Sequence, residues 1–312
     1  MLNTPVALII FNRPDLTKTV FQKIREAKPK TLLVIADGPR NPEESVKCEQ
    51  ARAVVEQVDW DCHLIKNYSE VNLGCKRRVS SGLNWVFSEV EEAIILEDDC
   101  VPAKSFFNFC ETLLNHYRYN PQIMMISGDN FQKGHKRTPY SYYFSKYFHV
   151  WGWASWRRAW KYYDIKLENW LEDKHSGFVE SIFKDPYECQ YWTTILDSVF
   201  NESIDTWDYQ WLYSCWKQQG LSIIPETNLI SNIGFGEEAS HTCGESPWSR
   251  LPVVEILQIK HPPIIQVNQR ADRYTFDYHY GGKIIRESNS LIFKAKAEIK
   301  RLAKFLKPHI KI

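Results

Sequence analysis

Three carboxylates in a row, Glu97, Asp98 and Asp99, close the apolar run 93–96 in the stretch AIILEDDCVP. Adjacent acids repel one another, and removing them from water without partners is costly. Such a cluster is kept where water screens it or where a positive group visits. A second stretch, NLGCKRR (72–78), sets Asn72 and Gly74 before Lys76, Arg77 and Arg78 at an expected helix start. Backbone N–H groups and guanidinium forks there suit phosphate oxygens. Together the two stretches fit a divalent cation bridging to a diphosphate. Mn²⁺ or Mg²⁺ takes hard oxygen ligands and often only one or two protein carboxylates, with water and phosphate completing the shell. Taken singly, the acid run also reads as a solvated turn and the basic run as an exposed helix face.

The elements around these residues decide whether they meet. VALIIF (6–11) is a continuous apolar run, as expected of a strand covered on both faces. After NRPD, Leu16, Val20 and Ile24 recur at helical spacing, with Pro14 and Asp15 marking the start. TLLVIA (31–36) is a second strand, stopped by the turn residues DGPRNP. Residues 42–58 read as helix, CHLIKN (62–67) as strand and CKRRVSSGLNWVFSEV (75–90) as helix before the acids arrive. Strand–helix units of this length predict a parallel, doubly wound sheet. Ligands of such sheets gather at the carboxyl ends of the strands. Phe11, Asn12 and Arg13 fall there after the first strand, Asp37 after the second and the acids after the fourth.

Composition narrows the class. The 312 residues carry 39 basic and 38 acidic side chains, and a formal charge of +1 gives no global pull on nucleic acid. Aromatics make 14% of the chain, with 12 Trp, 16 Tyr and 16 Phe. Most such rings fill a core, yet the surplus also suits a protein that stacks sugar rings. The eight cysteines (48, 62, 75, 100, 110, 189, 215 and 243) contain no Cys-x-x-Cys pair. This is neither a zinc ribbon nor a dense disulfide framework, and predicts reduced thiols in a cytoplasmic protein. The opening MLNTPVALIIF lacks a basic leader and reads as the first core strand. No apolar run approaches the ~20 residues that span a bilayer.

Five blocks in order resemble the GT-A glycosyltransferases, in particular the N-acetylglucosaminyltransferase I type and bacterial family-2-like sugar transferases. ILEDDCVPAKSFFNFCETLL resembles the family's strand, acid triplet and aromatic helix, and MMISGDN (124–130) the next strand with its Asn-bearing loop. FHVWGWASWRRAW (148–160) resembles the segment with a Gly-Trp pair before a helix. WDYQW (207–211), then IPETNLISNIGFG with SHT, resembles the base loop and C-terminal lid. The resemblance covers about residues 5–245. It implies an α/β fold, a three-layer α/β/α sandwich with a mostly parallel sheet. It implies metal-dependent, inverting transfer of a sugar from a UDP-sugar or another nucleotide sugar to a glycan or lipid-linked acceptor, as in cell-surface polysaccharide synthesis.

The resemblance also implies roles. Asp99 would ligate Mn²⁺ (or Mg²⁺), with Asp98 and Glu97 nearer the ribose and donor sugar. Asp37 would accept a hydrogen bond from uracil N3–H, and Arg13 would lie against the diphosphate. Phe11, Asn12, Asn72, Gly74, Arg77 and Arg78 complete the nucleotide-sugar side. Asp208 would be the catalytic base. The relatives carry adjacent aspartates between two tryptophans where this chain has Asp-Tyr-Gln, so Asp205 stays open as the base. His241 in EEASHT is either a second metal or phosphate ligand or a solvated loop residue, and Gly234 and Gly236 beside it could hinge a lid. Trp151, Gly152 and Trp153 form the acceptor or donor platform, whereas Trp156 and Trp160, four apart on an expected helix, read as core. The chemistry asks for the same cast. A carboxylate must deprotonate the acceptor hydroxyl, and the departing diphosphate must be neutralised.

The expected plan is a catalytic domain, 1–262, with a nucleotide-sugar-binding half (1–126) and an acceptor-binding half with a lid (127–262). A C-terminal extension, 263–312, ends in a basic amphipathic helix: residues 291–312 hold seven Lys or Arg against one Glu. That helix could lie on an anionic membrane, making the protein peripheral on its inner face, or pack on the body. Three rivals stand beside this reading. A sugar-1-phosphate nucleotidylyltransferase usually opens with a Gly-rich loop that IIFNRPD lacks, and a Rossmann oxidoreductase needs G-x-G-x-x-G. The third is a non-catalytic carbohydrate- or nucleotide-binding protein of the same fold.

Overall fold

The apolar runs become buried strands, and the amphipathic stretches between them become helices. The protein is seen here as a computed structural model that describes residues 1–235, 246–290 and Ala295. Strands β1 (Val6–Ile10), β2 (Thr31–Ala36), β3 (His63–Tyr68) and β4 (Glu92–Glu97) alternate with α1 (Pro14–Ala27), α2 (Pro42–Val55) and α3 (Gly74–Glu89). Helix α2 starts where the Asn41 side chain accepts the Glu44 N–H at 2.9 Å, and ends three residues short of the expected 58. Alternate side chains of a strand face opposite sides. Val6, Leu8 and Ile10 therefore join one core with Val20 and Ile24 of α1 and Val54 and Val55 of α2. Ala7 and Ile9 join a second core with Val79, Leu83 and Val86 of α3. Helices thus cover both faces of the sheet, as the continuous apolar strands predict.

The chain continues through β5 (Cys100–Pro102), α4 (Lys104–Tyr117), β6 (Ile123–Ser127), β7 (Tyr142–Ser145) and β8 (Trp153–Trp156). Helices α5 (Arg157–Trp160), α6 (Trp170–His175), α7 (Phe178–Ile182) and α8 (Pro186–Phe200) lead to α9 (Asp208–Lys217), β9 (Leu221–Pro225) and β10 (Ile230–Asn232). The main sheet has the order β3-β2-β1-β4-β8-β6-β9-β7. Strand β8 runs antiparallel between β4 and β6, and β7 runs antiparallel beside β9, while the other six strands point one way. The sheet is mostly parallel, as expected. A separate ribbon pairs β5 with β10, setting Cys100 opposite Asn232. Trp156 and Trp160 are core residues, but they do not share a helix: Trp156 ends β8 and Trp160 ends α5.

Residues 263–290 do not stand apart as an extension. Helices α10 (Gln269–Tyr278) and α11 (Gly282–Asn289) dock on the body, with Ala271 and Phe276 fully buried. Gln132 donates to the Ala271 carbonyl at 3.1 Å, and Asp185 pairs with Arg273 at 2.9 Å and Arg286 at 2.7 Å. The basic tail, 291–312, lies outside the described residues apart from Ala295.

One buried acid makes this docking sensitive to pH. Asp272 accepts from the Ser145 hydroxyl at 2.6 Å and the Lys146 N–H at 3.1 Å. Burial pushes its carboxyl up to about 7, with Glu188 adding and Ser145 and Lys146 opposing. A raised carboxyl holds its proton more tightly folded than unfolded, so its stabilising contribution is full below ~4 and lost as pH rises to ~7. Asp272→Asn, which keeps a donor and an acceptor but cannot ionise, flattens this part of the melting-temperature profile. An unchanged slope between pH 4 and 7 in thermal melts of the variant counts against the assignment.

Candidate active site

The carboxyl ends of β1, β2 and β4 and the start of α9 enclose a cleft of about 730 Å³. Phe11, Arg13, Asp37, Asn72, Gly74, Arg78, Glu97, Asp98, Asp99, Trp151, Asp205 and Asp208 all line it. Residues scattered over two hundred positions of sequence therefore converge, as the switch of strand order in such sheets allows. Asn12, Arg77, Gly152 and Trp153 do not line the cleft, and His241 and Gly236 lie outside the described residues.

The acid triplet sits where β4 ends. Asp98 is buried and Asp99 partly exposed. Burial, reinforced by Asp99 and Asp98, pushes the Glu97 carboxyl up to about 8. Burial also lifts Asp98, to about 6, against the pull of Arg13. Arg13 answers both aspartates. Its Nη2 bonds Asp98 Oδ1 and lies 2.9 Å from Asp99 Oδ2, and its Nε donates to Asp98 Oδ2 at 3.3 Å. Burial works against the Arg13 charge, but the two carboxylates outweigh it and raise the guanidinium above its ordinary range.

These acids fit a hard divalent cation in one of the two usual ways. Among the described residues no three His, Cys, Asp or Glu side chains converge as a protein-only metal cage. The other way, one or two carboxylates with phosphate and water as the remaining ligands, matches Asp98 and Asp99 at the edge of the cleft. The backbone is shaped around one of these oxygens. A Cβ on Gly234 would lie 2.0 Å from Asp99 Oδ2, so only glycine permits the carboxylate to rest there. The strap 232–235 is held by the Ile233 N–H on the Asp99 carbonyl at 2.9 Å and the Gly234 N–H on Asn232 Oδ1 at 2.8 Å.

The basic stretch behaves differently from expectation. Asp37 is buried and accepts the N–H groups of Gly38 (2.9 Å), Leu73 (2.9 Å) and Gly74 (3.1 Å), and Asn72 Nδ2 (3.1 Å). It staples the end of β2 to the start of α3, and its acceptor capacity is filled by protein. The amides of Leu73 and Gly74, expected at phosphate, are committed to it. Arg78 turns inward, donating to the Ala36 carbonyl at 3.1 Å and to the Asn67 carbonyl and side chain. Lys76 faces Glu202 at 3.7 Å, and Arg77 is exposed away from the cleft. The basic side of the cleft is instead Arg13 and Arg40, which lines it with its guanidinium 5.5 Å from the Phe11 ring centre. Sequence reasoning passed over Arg40 as part of a turn. Asn12 also works within the protein, donating to Glu44 at 2.6 Å.

The cleft lining also includes two carboxylates near the start of α9. Asp208 opens that helix, and the Thr206 hydroxyl donates to its Oδ1. Its charge helps raise both Glu97 and the Cys75 thiol, which places it within electrostatic reach of the acid triplet. Asp205 lies further round, its Oδ2 3.9 Å from where a Gly74 Cβ would stand. Trp151 is the one member of the expected platform that faces the cleft, edge-on to Phe235 at 5.6 Å. Trp153 is fully buried against Trp160, Trp207 and Trp211, and Gly152 is held in the backbone, its carbonyl accepting the Gly128 N–H. Cys75, unmarked in the sequence reading, also lines the cleft. Its thiol is pushed up by burial and then by Glu97, Asp208, Asp205 and Asp37, which disfavours the thiolate.

No family model and no curated protein matches the chain. Two solved structures show its level of likeness to known folds. UDP-glucose pyrophosphorylase complexed with UDP-glucose shares 9% identity at a TM-score of 0.26, over 46% of this chain and 62% of that one. The chain thus spans less than two thirds of that structure. A 4-diphosphocytidyl-2C-methyl-D-erythritol synthase from Anaerococcus prevotii DSM 20548 shares 9% identity at a TM-score of 0.33, over 62% of this chain and 99% of that one. Likeness this low assigns neither a family nor an activity, and the fold stands on its own strand order and two cores.

Proposed function

We propose that this chain is a divalent-metal-dependent glycosyltransferase of the GT-A type, moving a sugar from a UDP-sugar to a hydroxyl of a glycan or lipid-linked acceptor with inversion. The observation that carries the reading is the meeting of the Asp98–Asp99 edge and Arg13 with a further carboxylate, Asp208, in the lining of one cleft. Mn²⁺ or Mg²⁺ held at Asp99 would supply the positive charge that a departing diphosphate needs. Arg13 would add a guanidinium fork to the same oxygens. Glu97 and Asp98 offer oxygens to donor hydroxyls. Asp208 takes the proton of the acceptor hydroxyl as it attacks, which an inverting reaction asks of one carboxylate and no covalent nucleophile. Trp151, which lines the cleft, would be the ring against which an acceptor sugar rests. Asp37 and Arg78 act one layer back, Asp37 holding the loop 72–74 beside the cleft and Arg78 tying the ends of β2 and β3.

The test is a screen of nucleotide sugars for Mn²⁺-dependent release of the nucleoside diphosphate, which needs no acceptor. Asp99→Asn, close to isosteric, loses the Mn²⁺-dependent part of UDP affinity and keeps the melting temperature. Equal UDP affinity of variant and wild type, with Mn²⁺ and with chelator, removes Asp99 from the metal site. Nucleotidylyl transfer by the same cleft would show as pyrophosphate release from a nucleoside triphosphate and a sugar 1-phosphate. Binding without turnover in either assay would leave a carbohydrate- or nucleotide-binding protein.

A further inference from the structure

We infer that the cleft takes its divalent cation together with a diphosphate and not as the free ion, because Arg13 holds the cation's place on the acids until a diphosphate draws it away; this rests on the reading of the cleft as a metal and diphosphate site. The geometry is specific. A single guanidinium nitrogen of Arg13 bridges one oxygen of Asp98 and one oxygen of Asp99. That is the position of a cation shared between two carboxylates. The three side chains are only 16%, 3% and 14% exposed, so water screens the pairing little. A divalent ion and a guanidinium cannot both occupy it, since two like charges ~3 Å apart in such surroundings repel by several kcal/mol.

One partner must therefore move, and the protein leaves that to the Arg13 side chain. Asp99 is backed by the Gly234 main chain, close enough that a methyl group would collide. The Arg13 backbone is fixed as well, its carbonyl accepting the Thr17 N–H at 2.9 Å and the Thr17 hydroxyl at 2.8 Å. Only the side chain is left to rotate. Asp37 is a poor host for the displaced guanidinium, being filled by four N–H donors. A diphosphate offers paired anionic oxygens that match the guanidinium fork. Cation and diphosphate then favour each other's binding twice: by direct contact, and by giving Arg13 somewhere to go. The second part belongs to the protein and is removable by mutation.

The experiment titrates Mn²⁺ into wild type, Arg13→Gln and Arg13→Lys, with and without saturating UDP, reading free Mn²⁺ by its electron paramagnetic resonance. Without UDP, Arg13→Gln binds Mn²⁺ roughly tenfold more tightly than wild type, because the competing charge is gone. Arg13→Lys keeps a competing charge and stays near wild type. The tightening that UDP produces in wild type shrinks in Arg13→Gln by the factor gained without it. An Arg13→Gln protein that melts like wild type yet binds free Mn²⁺ no more tightly overturns the inference while leaving the metal site in place. Mn²⁺ binding to none of the proteins, even with UDP, removes the metal reading itself. Should Arg13→Gln fail to fold, wild type decides alone: free Mn²⁺ bound as tightly as Mn²⁺ with UDP overturns the proposal.

Discussion

Asp208→Asn lowers sugar transfer by ~10²–10⁴-fold, the usual contribution of a general base, while UDP affinity in the presence of Mn²⁺ stays at the wild-type level. The carboxamide keeps the shape of the side chain and can still accept the Thr206 hydroxyl that holds Asp208 at the head of α9. What it loses is the capacity to take a proton. The expected split is therefore a fall in kcat with the donor grip intact, because that grip is proposed for the acids at the end of β4 and for Arg13. Asp205→Asn is the matched control. It lines the same cleft near Gly74, and its charge, like that of Asp208, bears on the Cys75 thiol. Normal transfer by Asp208→Asn with a collapse in Asp205→Asn reverses the assignment of the two acids.

Gly234→Ala is the second large effect, and it tests the proposed metal edge without removing a charged group. The added Cβ would stand 2.0 Å from Asp99 Oδ2 and 2.6 Å from its Cγ, well inside any real contact. The strap cannot retreat freely, since Ile233 and Gly234 are tied by their N–H groups and β10 is paired with β5. Asp99 must rotate instead. Displacing a supporting contact of a metal ligand costs ~10- to 100-fold in metal affinity, so Mn²⁺-dependent UDP binding should fall by that factor. UDP binding in chelator should not change. Wild-type Mn²⁺ dependence in Gly234→Ala would mean that Asp99 can bind its cation from another rotamer, and the cradle would lose its meaning.

The parallel half of the fold was legible because its signals are local. Continuous apolar runs, turn clusters and helical spacing fix β1, β2, β4, α1 and α3 to within a residue or two, and the carboxyl-end rule then brings Arg13, Asp37 and the acid triplet together. The direction of the basic residues was not read, although part of it was available. Arg78, Gly82 and Val86 lie four apart on α3, the face on which a Gly82 Cβ would meet Ile35 at 2.6 Å. A cation on the buried stripe of a helix holds backbone carbonyls more often than ligands. Asp37, followed by Gly38 and set opposite the loop 72–74, is likewise a staple that only tertiary contact reveals. Trp153 was misread for a topological reason. Strand β8 lies inside the sheet with β4 and β6 on its two edges, and its four residues are buried on both faces. Nothing in WGWASW announces an interior antiparallel strand. The short helices α5, α6 and α7 carry no periodic signal to read.

The antiparallel β8 divides the sheet into two parts with different freedoms. On its β4 side, the cleft wall is built from consecutive strand–helix units, and its staples are internal: Asp37 on amides and Arg78 on carbonyls. Almost any change there disturbs packing as well as binding. On its β6 side, the cleft is edged by connecting segments, 148–152 and 201–207, that contribute Trp151, Asp205 and Thr206 without carrying the sheet. Connections tolerate substitution and insertion far better than the strands they join. On the proposed reading, a lineage with this architecture would diversify the sugar it builds upon while inheriting the nucleotide grip unchanged.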